Sequence, residues 1–146
     1  MPMPSHAYMF NKKETTMTHH TNGGDVFSQL RARKASTSKR FELGQMVATP
    51  PALERLAKHG FNVADLIARH HSGDWGDVSP AEARRTEQAL ISGARLLSVY
   101  RLVETKWLQS MPRTERSRLP TIWIETSAAN ESGLRESTTI LCPEDW

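Results

Sequence analysis

RHHSGDWGDV, at residues 69–78, packs two histidines, two aspartates, two glycines and one tryptophan into ten positions. The chain before it has a helical pattern. Val63, Leu66, Ile67 and His70 fall at i, i+3, i+4 and i+7, one stripe of a helix whose cap is Asn62. The chain after it opens on Ser79-Pro80-Ala81-Glu82. That is a capping box, with Ser79 at the N-cap, proline at the first helical position and Glu82 three residues on. Residues 73–78 are thus clamped between two helices, and their glycines allow a sharp turn. The stretch reads as a structural corner first and a binding surface second.

Working outward, residues 41–48 alternate Phe41, Leu43, Gln45 and Val47 against smaller or polar neighbours, which predicts a short first strand. Pro50 and Pro51 end it and start a first helix, with Leu53, Leu56 and Ala57 on one face and Gly60 beyond its end. The third helix runs from Pro80 to about Ile91, and Gly93 closes it. The period then becomes two. Leu96, Ser98, Tyr100 and Leu102 share one face of a strand, and Leu97, Val99, Arg101 and Val103 share the other. Residues 104–120 form a polar connection with a short helix expected near Trp107. Two further strands are expected at 121–126 and 137–142. This order predicts an α+β fold: three N-terminal helices packed on a small antiparallel sheet, made of the short first strand and a three-stranded C-terminal meander.

The 146 residues fit one domain at 41–146 behind a polar leader at 1–40. Net charge is +3, unevenly placed. Residues 1–40 hold seven Lys/Arg against two acids, a balance of +5, and the rest hold twelve against fourteen, a balance of −2. The leader shows no sustained apolar period and reads as a basic, disordered tail. Lys12, Lys13, Arg31, Arg33 and Lys34 would give it a weak, salt-sensitive attraction to nucleic acid. No apolar run approaches a membrane span, and no secretory signal is visible. The lone Cys142 excludes an internal disulfide and reads as a buried, inert thiol, and a bacterial cytoplasm is the expected compartment.

LGQMVATP, ALERL, RHHSGDWGDVS, ALISGARLLSVYRL, TIWIET, STTIL and PEDW together resemble a family of small plasmid and phage accessory proteins, often labelled type I restriction subunit M-like or plasmid-related. The resemblance covers about 42–146. The chain departs from the pattern by its insertion at 104–120 and by SAANESGLRES, which replaces a short turn and keeps only Arg135 and Ser137 of it. The resemblance implies a mobile-element protein that modulates host defence by anti-restriction or anti-CRISPR action, with a subunit of a bacterial defence complex as its partner.

Candidate chemistry divides three ways. His70, His71, Asp74 and Asp77 have metal-ligand chemistry, but adjacent helical histidines diverge by about 100°, and aspartates beside glycines usually serve turns. No metal or cofactor is expected. His71, Tyr100, Arg101 and Thr138 would supply a base, a clamp and a donor to a small metal-independent ribonuclease. Tyr100 and Arg101, however, point to opposite faces of one strand. No phosphate loop, nucleophile elbow or zinc-protease motif occurs, which points away from an enzyme. For a non-enzymatic inhibitor, Asp74, Asp77, Glu82 and Glu87 would form an acidic partner-binding patch. Trp75 would then be an interface anchor, or would fold back as core, the reading favoured here.

Overall fold

The computed structural model describes residues Tyr8–Phe10 and 40–146. Five strands form one sheet in the spatial order β1-β2-β5-β4-β3. They are β1 (Tyr8–Phe10), β2 (Gln45–Ala48), β3 (Leu96–Arg101), β4 (Thr121–Thr126) and β5 (Ser137–Leu141). Between β2 and β3 lie α1 (Pro50–Lys58), α2 (Val63–His71) and α3 (Pro80–Ser92). The short α4 (Thr105–Ser110) and a 3-10 turn at Arg113–Arg118 fill the connection from β3 to β4. The leader expected at 1–40 lies outside the described residues, apart from Arg40 and from Tyr8–Phe10, which pairs antiparallel with β2.

Two corrections to the expected architecture follow. The helices are not N-terminal to the sheet but follow its first strands, and the sheet is mixed rather than antiparallel. β3, β4 and β5 are consecutive antiparallel neighbours, while β2 runs parallel to β5, with Gln45 opposite Ser137 and Ala48 opposite Ile140. The reason is topological. Two antiparallel steps make β5 parallel to β3, so a β2 that enters beside β5 in the same sense needs a connection that returns the chain to the end where it began. The three helices make that return. The fold remains broadly α+β.

β2 is also shorter than the alternation at 41–48 predicts. Gly44 has φ +66°, and a Cβ there would collide with the backbone of Glu136. The strand therefore starts after it, and Phe41 turns away to pack on α2.

Apolar spacing places the core. Leu56 of α1 and Leu66 and Ile67 of α2 cluster with Tyr100, Ile122, Ile124 and Ile140, the buried alternate positions of the sheet. The other alternate set, including Leu97, Val99, Trp123 and Thr139, is only half-buried. A second cluster unites Trp75, Ala89 and Leu96, with Phe41, Val78 and Leu90 against it. Helix ends follow the local chemistry. Thr49 and Asn62 accept from Ala52 and Ala64 to cap α1 and α2. At α3 both arms of the capping box form: the Ser79 amide donates to Glu82 at 2.9 Å and the Glu82 amide to Ser79 Oγ at 3.1 Å. Gly93 closes α3 at φ +84°, and buried Arg135 donates to the Ala89 carbonyl in its last turn and the Ala94 carbonyl just beyond it.

Ser79→Ala is expected to cost roughly 0.5–2 kcal/mol of stability, the usual loss at an N-cap. Urea unfolding checks this, and an unchanged midpoint would contradict the assignment.

Candidate functional site

The corner between α2 and α3 is a sheet element. The Val99 amide donates to the Trp75 carbonyl at 3.0 Å, and the Asp77 amide donates to the Val99 carbonyl at 2.7 Å. Gly76 lies beside Val99 as a parallel bridge. The loop therefore covers the outer edge of β3, whose backbone groups would otherwise stand open. Gly76 has φ +82°, and a Cβ on it would run into the Val99 carbonyl. Only glycine permits that approach.

Three side chains fix the corner from within. Trp75 is 5% exposed. It stacks near Phe41, meets His70 edge-on and donates its indole N–H to Glu87 at 2.8 Å. Glu87 also receives both guanidinium nitrogens of Arg40, each at 2.8 Å. The Arg40 bond is the main reason its carboxyl lies below the usual range. The Tyr100 hydroxyl donates to the Asp74 carbonyl at 2.6 Å, and Arg69 lies over the Tyr100 ring while pairing with Asp74.

Asp77 was expected in an exposed acidic patch, and the structure corrects this. Its side chain is 3% exposed. It accepts from Arg101 Nε at 2.9 Å and Arg116 Nη1 at 2.7 Å, and Arg113 stands 3.7 Å away. Burial pushes its carboxyl pKa up, but the hydrogen bonds and charges of Arg101 and Arg116 outweigh this and hold it below the ordinary value. Asp77 thus latches the 104–120 connection to the corner and to β3. The remaining residues of the expected patch are also paired, though more exposed: Asp74 with Arg69, Glu82 with the α3 cap, Glu87 with Arg40 and Trp75.

His70 anchors α2 to three strands. Fully buried, it meets Ser98 at 2.6 Å through Nδ1 and Thr126 at 2.8 Å through Nε2. Thr126 meets Thr138 at 2.7 Å, and Thr138 donates to the Leu43 carbonyl. Since Thr138 spends its proton on Leu43, Thr126 donates to Thr138 and itself accepts from the imidazole Nε2–H.

The residues proposed for ribonuclease chemistry are not brought together. Tyr100 is buried with its hydroxyl on Asp74, and desolvation raises its pKa far above the usual phenol range. Arg101 lies on the opposite face, tied to Asp77 and Thr121. Thr138 is buried, and His71 bonds the Phe41 carbonyl at 2.8 Å. Among the described residues no group of three or more His, Cys, Asp or Glu could hold a metal ion. Burial pushes the Cys142 thiol up to about 11, which leaves it protonated. Lys12, Lys13, Arg31, Arg33 and Lys34 lie outside the described residues.

A cavity of about 670 Å³ opens beside the latch. Its walls come from the half-buried sheet face at Val99 and Trp123, the end of the 104–120 connection, α1 and the C-terminal turn. That turn is stapled down by the Arg55–Glu144 pair and by the edge-on contact of Trp146 with Trp123. Sequence reasoning singled out Asp77, Glu82 and Arg101, which line this cavity, but not the cavity itself. A further signal was the charge run RTERSR at 113–118, which follows a strand ending in Arg101.

No family model, curated protein or solved structure matches the chain. No helix among the described residues is long and apolar enough to cross a membrane.

Asp77→Ala is expected to destabilise the fold by about 3 kcal/mol, the lower end for breaking a buried pair, because Arg101 and Arg116 keep some solvent contact. The wild-type contribution is fully present above the ordinary aspartate value of ~3.9 and is lost as pH falls through the lower folded value. Urea midpoints measured from neutral to acid pH should therefore converge for the two proteins at the acid end. A constant gap would contradict the latch.

Proposed function

We propose that the protein acts by binding and not by catalysis, as a mobile-element inhibitor of a subunit of a bacterial restriction or CRISPR complex. The partner class comes from the sequence resemblance. The observation that carries the non-enzymatic part is the scattering of His71 to α2 and of Tyr100, Arg101 and Thr138 over both sheet faces, with Tyr100 and Thr138 spent on backbone carbonyls.

The acidic corner gives this function less free charge than its sequence suggests, since Asp77 is buried and Asp74, Glu82 and Glu87 have partners within the chain. Support for a different contact comes from exposed apolar groups. Ile91 is 90% exposed near the end of α3, and Leu134 is 58% exposed in the 127–136 loop. That loop is bound to the same end of α3, where Ala129 N–H donates to the Gly93 carbonyl at 2.8 Å and Arg135 donates to the Ala89 carbonyl. Large exposed apolar side chains at one end of a molecule suit a protein partner.

Expression in a host with an active restriction or CRISPR system should raise transformation by a plasmid that the system targets. Ile91→Asp with Leu134→Asp should abolish that rise while leaving the thermal midpoint within a few degrees of wild type. Cleavage of RNA by the purified protein, or full protection by the double variant, would contradict the reading.

A further inference from the structure

We infer that the cavity beside Asp77 is a binding site for single-stranded nucleic acid, with a phosphate on Arg118 and a base against Trp123. This goes beyond the proposed function, since it needs no defence subunit. The argument starts from how the charges are spent. Each carboxylate lining the cavity is committed: Asp77 to Arg101 and Arg116, Glu82 to the Ser79 amide, Glu144 to Arg55. Arg118 and His59 also line it and bear no side-chain hydrogen bond or ion pair among the described residues. Arg113, outside the lining, stands 3.7 Å from an Asp77 that two closer arginines already pair. The lining's other charges pair off, so among the described residues the cavity presents one uncommitted cation, Arg118, which favours an anionic ligand there.

Trp123 decides between anions. Its half-buried indole lines the cavity on the open sheet face. Every base offers a π-face to stack on an indole, whereas an acidic peptide does so only where it carries an aromatic side chain. The strand must be single, because a duplex keeps its base faces stacked inside. The surplus of Lys/Arg at residues 1–40 would raise the local concentration of a polyanion without forming the site.

The test is fluorescence anisotropy of a short fluorescein-labelled oligothymidylate with the full chain. Binding should weaken as salt rises and should resist competition by inorganic phosphate or by duplex DNA. Arg118 is exposed, so Arg118→Glu should leave the fold intact and weaken binding by roughly tenfold or more. Trp123→Ala should weaken it similarly, and Trp123→Phe should restore most of it, with the thermal midpoint reporting any loss of fold. Lys12→Ala with Lys13→Ala should retain most of the affinity. The inference is overturned by wild-type protein that does not bind, by Arg118→Glu that binds like wild type, by binding lost on the Lys12/Lys13 change alone, or by equal competition from phosphate.

Discussion

Val99 has β4 on one side, and on the other the corner Trp75-Gly76-Asp77 takes the place of a strand. This pairing is the constraint on which the rest depends. It requires a glycine at 76, because the Val99 carbonyl occupies the space a side chain would need. It places the Asp74 carbonyl over Tyr100, Trp75 under α3 and Asp77 against Arg101. A sheet edge that would invite pairing with another chain is covered by the protein's own turn. The turn then holds α3 through Glu87 and the 104–120 connection through Arg113 and Arg116.

The second organising feature is the buried polar line from Ser98 through His70, Thr126 and Thr138 to the Leu43 carbonyl. Each unpartnered group here would cost about 1–3 kcal/mol, so the line contributes mainly by fixing α2 in one register over β3, β4 and β5. His70 has ligand chemistry on paper, but its two ring nitrogens are both used to align strands. The same logic ties the acidic corner inward at Asp77, while Asp74 and Glu87 keep exposed side chains in their ion pairs. Of the carboxylates that look like a patch in sequence, Asp77 is a buried fastener and Glu82 caps α3, while Asp74 and Glu87 sit in surface pairs.

Much of the local structure was legible in the sequence because it depends on neighbours. The capping box at Ser79 and Glu82, the stripe Val63-Leu66-Ile67-His70 and the alternation through Leu96, Ser98 and Tyr100 each appear where the pattern puts them. What was not legible depends on distant partners. The parallel pairing of β2 with β5 joins Gln45 to Ser137, and nothing in either segment states the sense of pairing. Alternation extended the first strand to Phe41, but Gly44 turns the chain because of the approaching Glu136 backbone. The Asp77 latch reaches 24 and 39 residues along the chain. An aspartate beside a glycine reads as a turn residue, and no local pattern shows that arginines from a later connection will bury it. The candidate cavity was missed for the same reason, since its walls come from segments far apart in sequence.

The central claim is that the corner is part of the sheet and not a loop resting on it. Native-state hydrogen exchange tests it at two amides, Val99 N–H bonded to Trp75 and Asp77 N–H bonded to Val99. If the corner is a sheet element, both should exchange only through global unfolding, with the same free energy as the amides of β4. Fast exchange at both, while β4 stays protected, would contradict the account.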